Sequence, residues 1–208
     1  MQIISTNISK AKTVILKNKE VKTGIFKEPV HDAIYLDKTG VKHDAVVDRR
    51  VHGGPDKACY MYSVDYYGYW KLKYPELDWT YGMFGENLTV EGLNEKNIHL
   101  GDVYKIGEAL VQAAQPRQPC SKLGVKFKNQ HIVKEFVKYQ HPGVYLRVMQ
   151  PGYVKNSDLI IPEDIKESAI TIRDLFSLLF QREKDKDLLA KALNDKNLPD
   201  SVRIDLGV

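Results

Sequence analysis

Between residues 88 and 113 the chain cannot run far in one direction. Residues 88–90, 98–100, 103–106 and 109–113 read as short apolar strands, and Gly101-Asp102 and Gly107-Glu108 stand as turns between the later ones. Strands this short, joined by tight glycine-bearing turns, pair with close neighbours, and such runs build barrels or closed sheets. The expectation is a mainly β fold around a barrel-like core.

The rest of the chain extends this reading. Residues 3–4 and 33–36 are short strands. Residues 13–16 and 21–26 form a hairpin across a polar turn at 17–20. A buried-looking strand at 58–62 leads to Ser63, a helix cap, and to a helix with Tyr66, Tyr69 and Trp70 on one face that Pro75 stops. Residues 122–127 are ambiguous. At 130–139, Ile132, Val133, Phe136 and Val137 share one side of an amphipathic helix. Strands follow at 144–149, 153–154 and 159–161.

The pattern changes at Pro162. Thr171 and Asp174 have capping-box spacing, and Ile172, Leu175, Phe176, Leu179 and Phe180 make a helical face. Two further short helices are expected, at 187–193 and, after Pro199, at 201–206. The division is a β domain over 1–162 and a three-helix appendage over 163–208. The appendage is too small for a large core of its own and is expected to pack on the main domain as a stabilising element.

Composition removes several function classes. The 208 residues carry a formal charge of only +4, and the positive charges are dispersed, so nucleic acid is not the expected partner. Two cysteines are too few for a disulfide scaffold and point to a reducing, cytoplasmic setting. No run of 18 apolar residues is present to span a membrane.

Two stretches carry chemistry. In Gln115-Pro116-Arg117-Gln118-Pro119-Cys120 a strand end is stiffened by two prolines, and a thiol follows a guanidinium by three residues. A thiolate is a nucleophile and a soft metal ligand, favoured by positive neighbours. The plain alternative is a proline-rich turn whose small Cys packs inward. In Val51-His52-Gly53-Gly54-Pro55-Asp56-Lys57 the paired glycines let a ligand approach the main chain, with His52, Lys57 and the preceding Arg49 and Arg50 as cationic or hydrogen-bonding groups. A tight turn with solvated polar residues explains the same pattern. Glu86 and Asn87 read either as orienting groups at a pocket rim or as turn residues before a strand. Cys59, within an apolar strand, reads as a core thiol. His31, His99, His131 and His141 lack metal-ligand spacing.

In combination, 51–58, Phe84-Gly85-Glu86-Asn87-Leu88, Gly101-Asp102 and 115–120 resemble the MOSC domain, the C-terminal domain of molybdenum cofactor sulfurases, and in particular its stand-alone bacterial YiiM-type branch, whose members end in a small three-helix domain. The resemblance spans most of residues 1–160. It implies a barrel-like β fold, molybdenum cofactor (molybdopterin) as cofactor, and reduction of N-hydroxylated compounds such as hydroxylaminopurines. Cys120 is then the catalytic group and metal ligand, and Arg49, Arg50, His52, Lys57, Glu86, Asn87 and Arg117 form the cofactor pocket. Its implied partners are a small N-hydroxylated substrate and a flavoprotein electron donor, with no nucleic acid and no membrane; a homodimer is left open. Trp79 or Tyr81 could stack on a purine-like substrate or serve as packing. One departure is His43, where the family commonly has glycine, which leaves the placement of Asp44 open. Two other roles fit the same thiol: a cofactor or sulfur carrier without catalysis, and a metal-free Cys hydrolase.

Overall fold

The structure is a computed structural model that describes residues 1–47 and 53–207. It begins with β1 (Gln2–Ile8), followed by the hairpin β2 (Lys12–Leu16) and β3 (Lys19–Thr23). Lys17 and Asn18 turn this hairpin with φ of 50° and 60°, the left-handed pair that suits the twist of a two-residue connection. Next come β4 (Glu28–Val30), β5 (Ile34–Asp37), β6 (Gly40–Val41) and, after a 3-10 turn at Pro55–Lys57, β7 (Cys59–Ser63). The helix α1 (Tyr67–Lys73) leads to β8 (Leu88–Glu91), β9 (Val103–Ile106) and β10 (Ala109–Pro116). Two helices, α2 (Ser121–Lys126) and α3 (His131–Tyr139), separate β10 from β11 (Val144–Gln150), β12 (Gly152–Val154) and β13 (Ile160–Asp164). The chain closes with α4 (Ile172–Phe180), α5 (Lys186–Leu193) and α6 (Asp200–Asp205).

Among the described residues, one sheet has the order β13-β9-β10-β11-β7-β8-β1-β4, and smaller sheets join β12-β5-β6 and β2-β3. Every pairing is antiparallel except β7 with β8. A parallel pair needs a long crossover, and α1 lies in that connection.

The expected barrel is corrected here. The ladder is open, with β13 and β4 at its two ends. An isolated bridge, Gln2 with Leu159, links β1 to the segment before β13 without forming a ladder. The short strands with glycine turns specified local pairing, which is satisfied in β9-β10 and does not compel closure. Nor are the helices gathered at the C-terminus: α1, α2 and α3 interrupt the strand series. The fold is a mixed, mostly antiparallel sheet with helices distributed along the chain.

Three apolar clusters fill it. Ile3, Met61, Leu88, Val111 and Leu146 belong to the cluster on the sheet. Trp70, Phe84, Phe127 and Phe136 form an aromatic cluster with α1 and α3. Leu100 joins Leu178, Ala192 and Val202 among the last helices. The helix α4 enters all three, through Ile172, Phe176 and Leu175 respectively. Its first turn is capped as expected, the Thr171 hydroxyl accepting from the Asp174 amide at 3.0 Å. No helix of the described residues is long and apolar enough to cross a membrane.

Candidate functional site

The two chemistry-bearing stretches meet in one cleft. Its walls come from residues 23–27, 44–47, 53–60, 84–87 and 117–122 together with Tyr145 of β11, and it has about 740 Å³ of free space, part of it open to solvent. Gly53, Lys57, Asn87, Arg117 and Cys120 all line it. Arg49, Arg50 and His52 lie outside the described residues.

The strand β10 ends at Pro116, so the next residues leave the sheet at the cleft. Cys120 is half-buried and sits as the extended residue before α2, its carbonyl accepting from Leu123 N at 2.9 Å. Arg117 is only 5% exposed. Its guanidinium lies 5.5 Å from the Tyr60 ring and 5.2 Å from the Phe136 ring, and it is close enough to Cys120 to act on its charge. Aromatic faces attract a cation. They do not satisfy its N–H groups, and one terminal nitrogen of Arg117 is buried with no hydrogen-bond partner among the described residues. A buried donor left unmade costs about 1–3 kcal/mol.

Across the cleft, Gly53 and Gly54 have φ of 80° and 84°. A Cβ on Gly53 would come within 2.7 Å of Val46 Cγ1, so glycine is needed there for space as well as for conformation. The turn places Lys57 on the wall, half-buried. Burial pulls its amine below the usual lysine range, against the opposing charges of Asp205 and Asp56.

Glu86 and Asn87 divide in role. Asn87 lines the cleft, and its side chain is engaged on both atoms: Oδ1 accepts from Tyr60 N at 3.2 Å, and Nδ2 donates to Asp44 at 3.0 Å. Glu86 is fully buried and is not on the lining. Its carboxylate accepts from Gly82 N at 2.9 Å, Phe84 N at 3.0 Å, the Thr89 hydroxyl at 2.9 Å and the Tyr67 hydroxyl. It clamps the loop that carries Phe84 and Gly85 to the cleft.

Sequence reasoning missed the Lys27–Asp44 ion pair, which lies on the lining with side chains 8% and 3% exposed. Asp44 also accepts from Ser9 N at 2.8 Å. His43, the departure from the common glycine, adopts φ 65°, the left-handed conformation that glycine would supply. Asp44 is therefore delivered to the cleft without it. Trp79 and Tyr81 are not on the lining; Trp79 packs on Phe127, ring centroids 5.7 Å apart, and donates to Tyr74 O at 2.9 Å. The aromatic groups of the cleft are Tyr60, Phe84 and Tyr145. Burial raises both phenols, so they stay neutral donors. Cys59 is a core thiol as expected, 1% exposed and pushed up by burial. Among the described residues no group of three or more His, Cys, Asp or Glu side chains is arranged to hold a metal ion.

The family model of the MOSC domain matches residues 48–160, more than half of the chain, including Lys57, Asn87, Arg117 and Cys120 of the cleft. The chain belongs to the MOSC domain family. Within it, this MOSC protein is 32% identical over 181 residues to Protein YiiM of Escherichia coli (strain K12), covering 86% of this chain and 80% of that one. The crystal structure of YiiM from Geobacillus stearothermophilus superposes with a TM-score of 0.82 at 31% identity, over 99% of this chain and 96% of that chain. A protein of Gibberella moniliformis (strain M3125 / FGSC 7600) named Reductase is 31% identical over 144 residues, 68% of this chain and 26% of that longer protein. The MOSC chain is thus homologous to YiiM-type proteins from end to end, including its last helices.

Proposed function

We propose that the cleft binds molybdenum cofactor and that the chain, so loaded, reduces N-hydroxylated compounds such as hydroxylaminopurines. The observation that carries the reading is the buried guanidinium nitrogen of Arg117, which has no hydrogen-bond partner among the described residues, in the cleft that Cys120 also lines. A charged donor kept out of water without a partner fits a wall meant to meet an anion. Membership of the MOSC family and the redox name of one relative agree with it.

The residues present fit such a group. Arg117 and Lys57, both on the lining, would hold an anionic phosphate. The Cys120 thiolate would be the protein's ligand to the metal, and the remaining soft ligands would belong to the cofactor itself. Bound there, the cofactor would supply two-electron redox chemistry. The overall reaction consumes two electrons and two protons, breaks the N–O bond, and releases amine and water; the electrons come from a separate flavoprotein. Neutral Tyr60 and Tyr145 and the apolar face of Phe84 would orient a planar substrate and keep bulk water out.

The test is to measure molybdenum and pterin in gently purified protein, with turnover of an N-hydroxylated base by a reduced flavoprotein donor. Cofactor content with turnover, lost in Cys120→Ala, is expected. Cofactor content with no turnover would make the chain a carrier. Full turnover by a metal-loaded C120A protein would remove Cys120 from the mechanism.

A further inference from the structure

The tail is tied to the Cys120 loop and, through Arg147, to the glycine turn. From α6, the Asp205 carboxylate accepts a hydrogen bond from Gln118 Nε2 at 2.6 Å, and Gln118 lies between Arg117 and Cys120 on the lining. The same carboxylate acts electrostatically on Lys57, which also lines the cleft. A second tie runs through Arg147 of β11, which donates to Asn197 O at 2.8 Å and to the carboxylate of Asp56, the neighbour of Lys57. The tail thus holds the Cys120 loop directly and the glycine turn through one guanidinium.

From this geometry we infer that Asp205 sets the affinity of the cleft for a phosphate-type oxyanion: it holds Gln118 in place and opposes the positive charge of Lys57 that such a ligand would meet. This rests on the reading of the cleft as an anion site. Asp205 is exposed, so its charge is screened by solvent. Its effect is therefore of the size of an exposed pair rather than a buried one. Its charge also tempers selectivity: Arg117 and Lys57 favour a dianion such as a phosphate monoester over a singly charged anion, and Asp205, which repels the dianion more strongly, narrows that preference. Asp205 is a positioning and specificity residue and touches no reacting atom.

The experiment is isothermal titration of the full chain with inorganic phosphate, comparing the unmodified protein with Asp205→Asn, Asp205→Glu and Asp187→Asn. Asparagine keeps an acceptor for Gln118 and removes the charge. Asp205→Asn is expected to bind about two- to fivefold tighter at low ionic strength, with the gain vanishing near ~1 M salt. Asp205→Glu and the remote Asp187→Asn should match the unmodified protein. Phosphate binding that is unchanged or weakened in Asp205→Asn would overturn the role of Asp205 and leave the anion cleft standing, as would equal tightening in Asp187→Asn. Failure of every protein to bind phosphate, Asp205→Asn included, would overturn the anion cleft and this inference with it.

Discussion

The guanidinium of Arg117 lies 5.2 Å from the ring centroid of Phe136, and one of its nitrogens has no hydrogen-bond partner among the described residues. The ring attracts the cation and Tyr145 hydrogen-bonds to the guanidinium, but that one nitrogen is left unmatched. In the ligand-free fold Arg117 is a liability, because burying a charge without full pairing is unfavourable. Arg117→Met is therefore expected to keep or raise the unfolding temperature while losing most of the molybdenum retained on purification. Arg117→Lys, which keeps charge without the planar fork, should retain an intermediate amount. Thermal unfolding alongside metal analysis checks both; a large drop in unfolding temperature for Arg117→Met would show that the guanidinium is there for the fold.

Glu86 should behave in the opposite way. Its carboxylate accepts four hydrogen bonds in a fully buried setting. Glu86→Ala strands those donors and is expected to cost about 3 kcal/mol or more of stability, since each bond to a charged acceptor contributes about 1.5–3 kcal/mol. Urea unfolding measures this. A loss below ~1 kcal/mol would mean that the clamp on residues 82–86 is redundant.

Lys126 gives a pH signature. Its amine is pulled down to about 8, chiefly by burial, while donating to Gly82 O at 2.5 Å and Ile25 O at 3.2 Å. The unfolded chain has the ordinary lysine value of about 10.4. Between these two values the unfolded state binds more protons, so stability from this group rises with pH. Its contribution is complete above about 10.4 and is lost as pH falls through about 8. Unfolding followed from pH 7.5 to 10.5 should show that upward component in the unmodified protein and lack it in Lys126→Met. An identical pH slope in both would refute the assignment.

The two thiols should separate cleanly under alkylation. Cys59 is 1% exposed, and burial pushes it away from the reactive thiolate form. Cys120 is half-buried on the cleft. Mass spectrometry after brief iodoacetamide treatment of the folded protein is expected to find the label on Cys120 alone. Labelling at Cys59 to the same extent would place the core strand β7 in exchange with solvent.

What could be read from the residues was mostly local. Proline and glycine carry their conformational effect wherever they stand, so the stiff loop ending at Cys120 and the bend at Gly53 were legible, as was the Thr171 cap. The hairpin around Lys17 and Asn18 needed only its own turn. The Lys27–Asp44 pair was not legible, because two side chains far apart in sequence meet only when three connections fold over the sheet. The parallel pairing of β7 with β8 was hidden for the same reason. Barrel closure was over-read: glycine turns specify which neighbours pair, whereas closure depends on where a distant edge such as β4 comes to lie. Asp205 gave no signal at all, being one of two acids on a helix of six residues.

The seating of α4 in three apolar clusters has a practical consequence. Anyone wishing to graft this scaffold onto another protein, or to trim it for crystallisation, would naturally cut near Pro162, where composition shifts. Such a cut removes Ile172 from beneath the strands and Phe176 from the aromatic cluster. A cut after Phe180 keeps those two contacts but strips Ala192, Val202 and Leu206 from Leu175 and Leu178, so a transplant that preserves every cluster carries the tail whole.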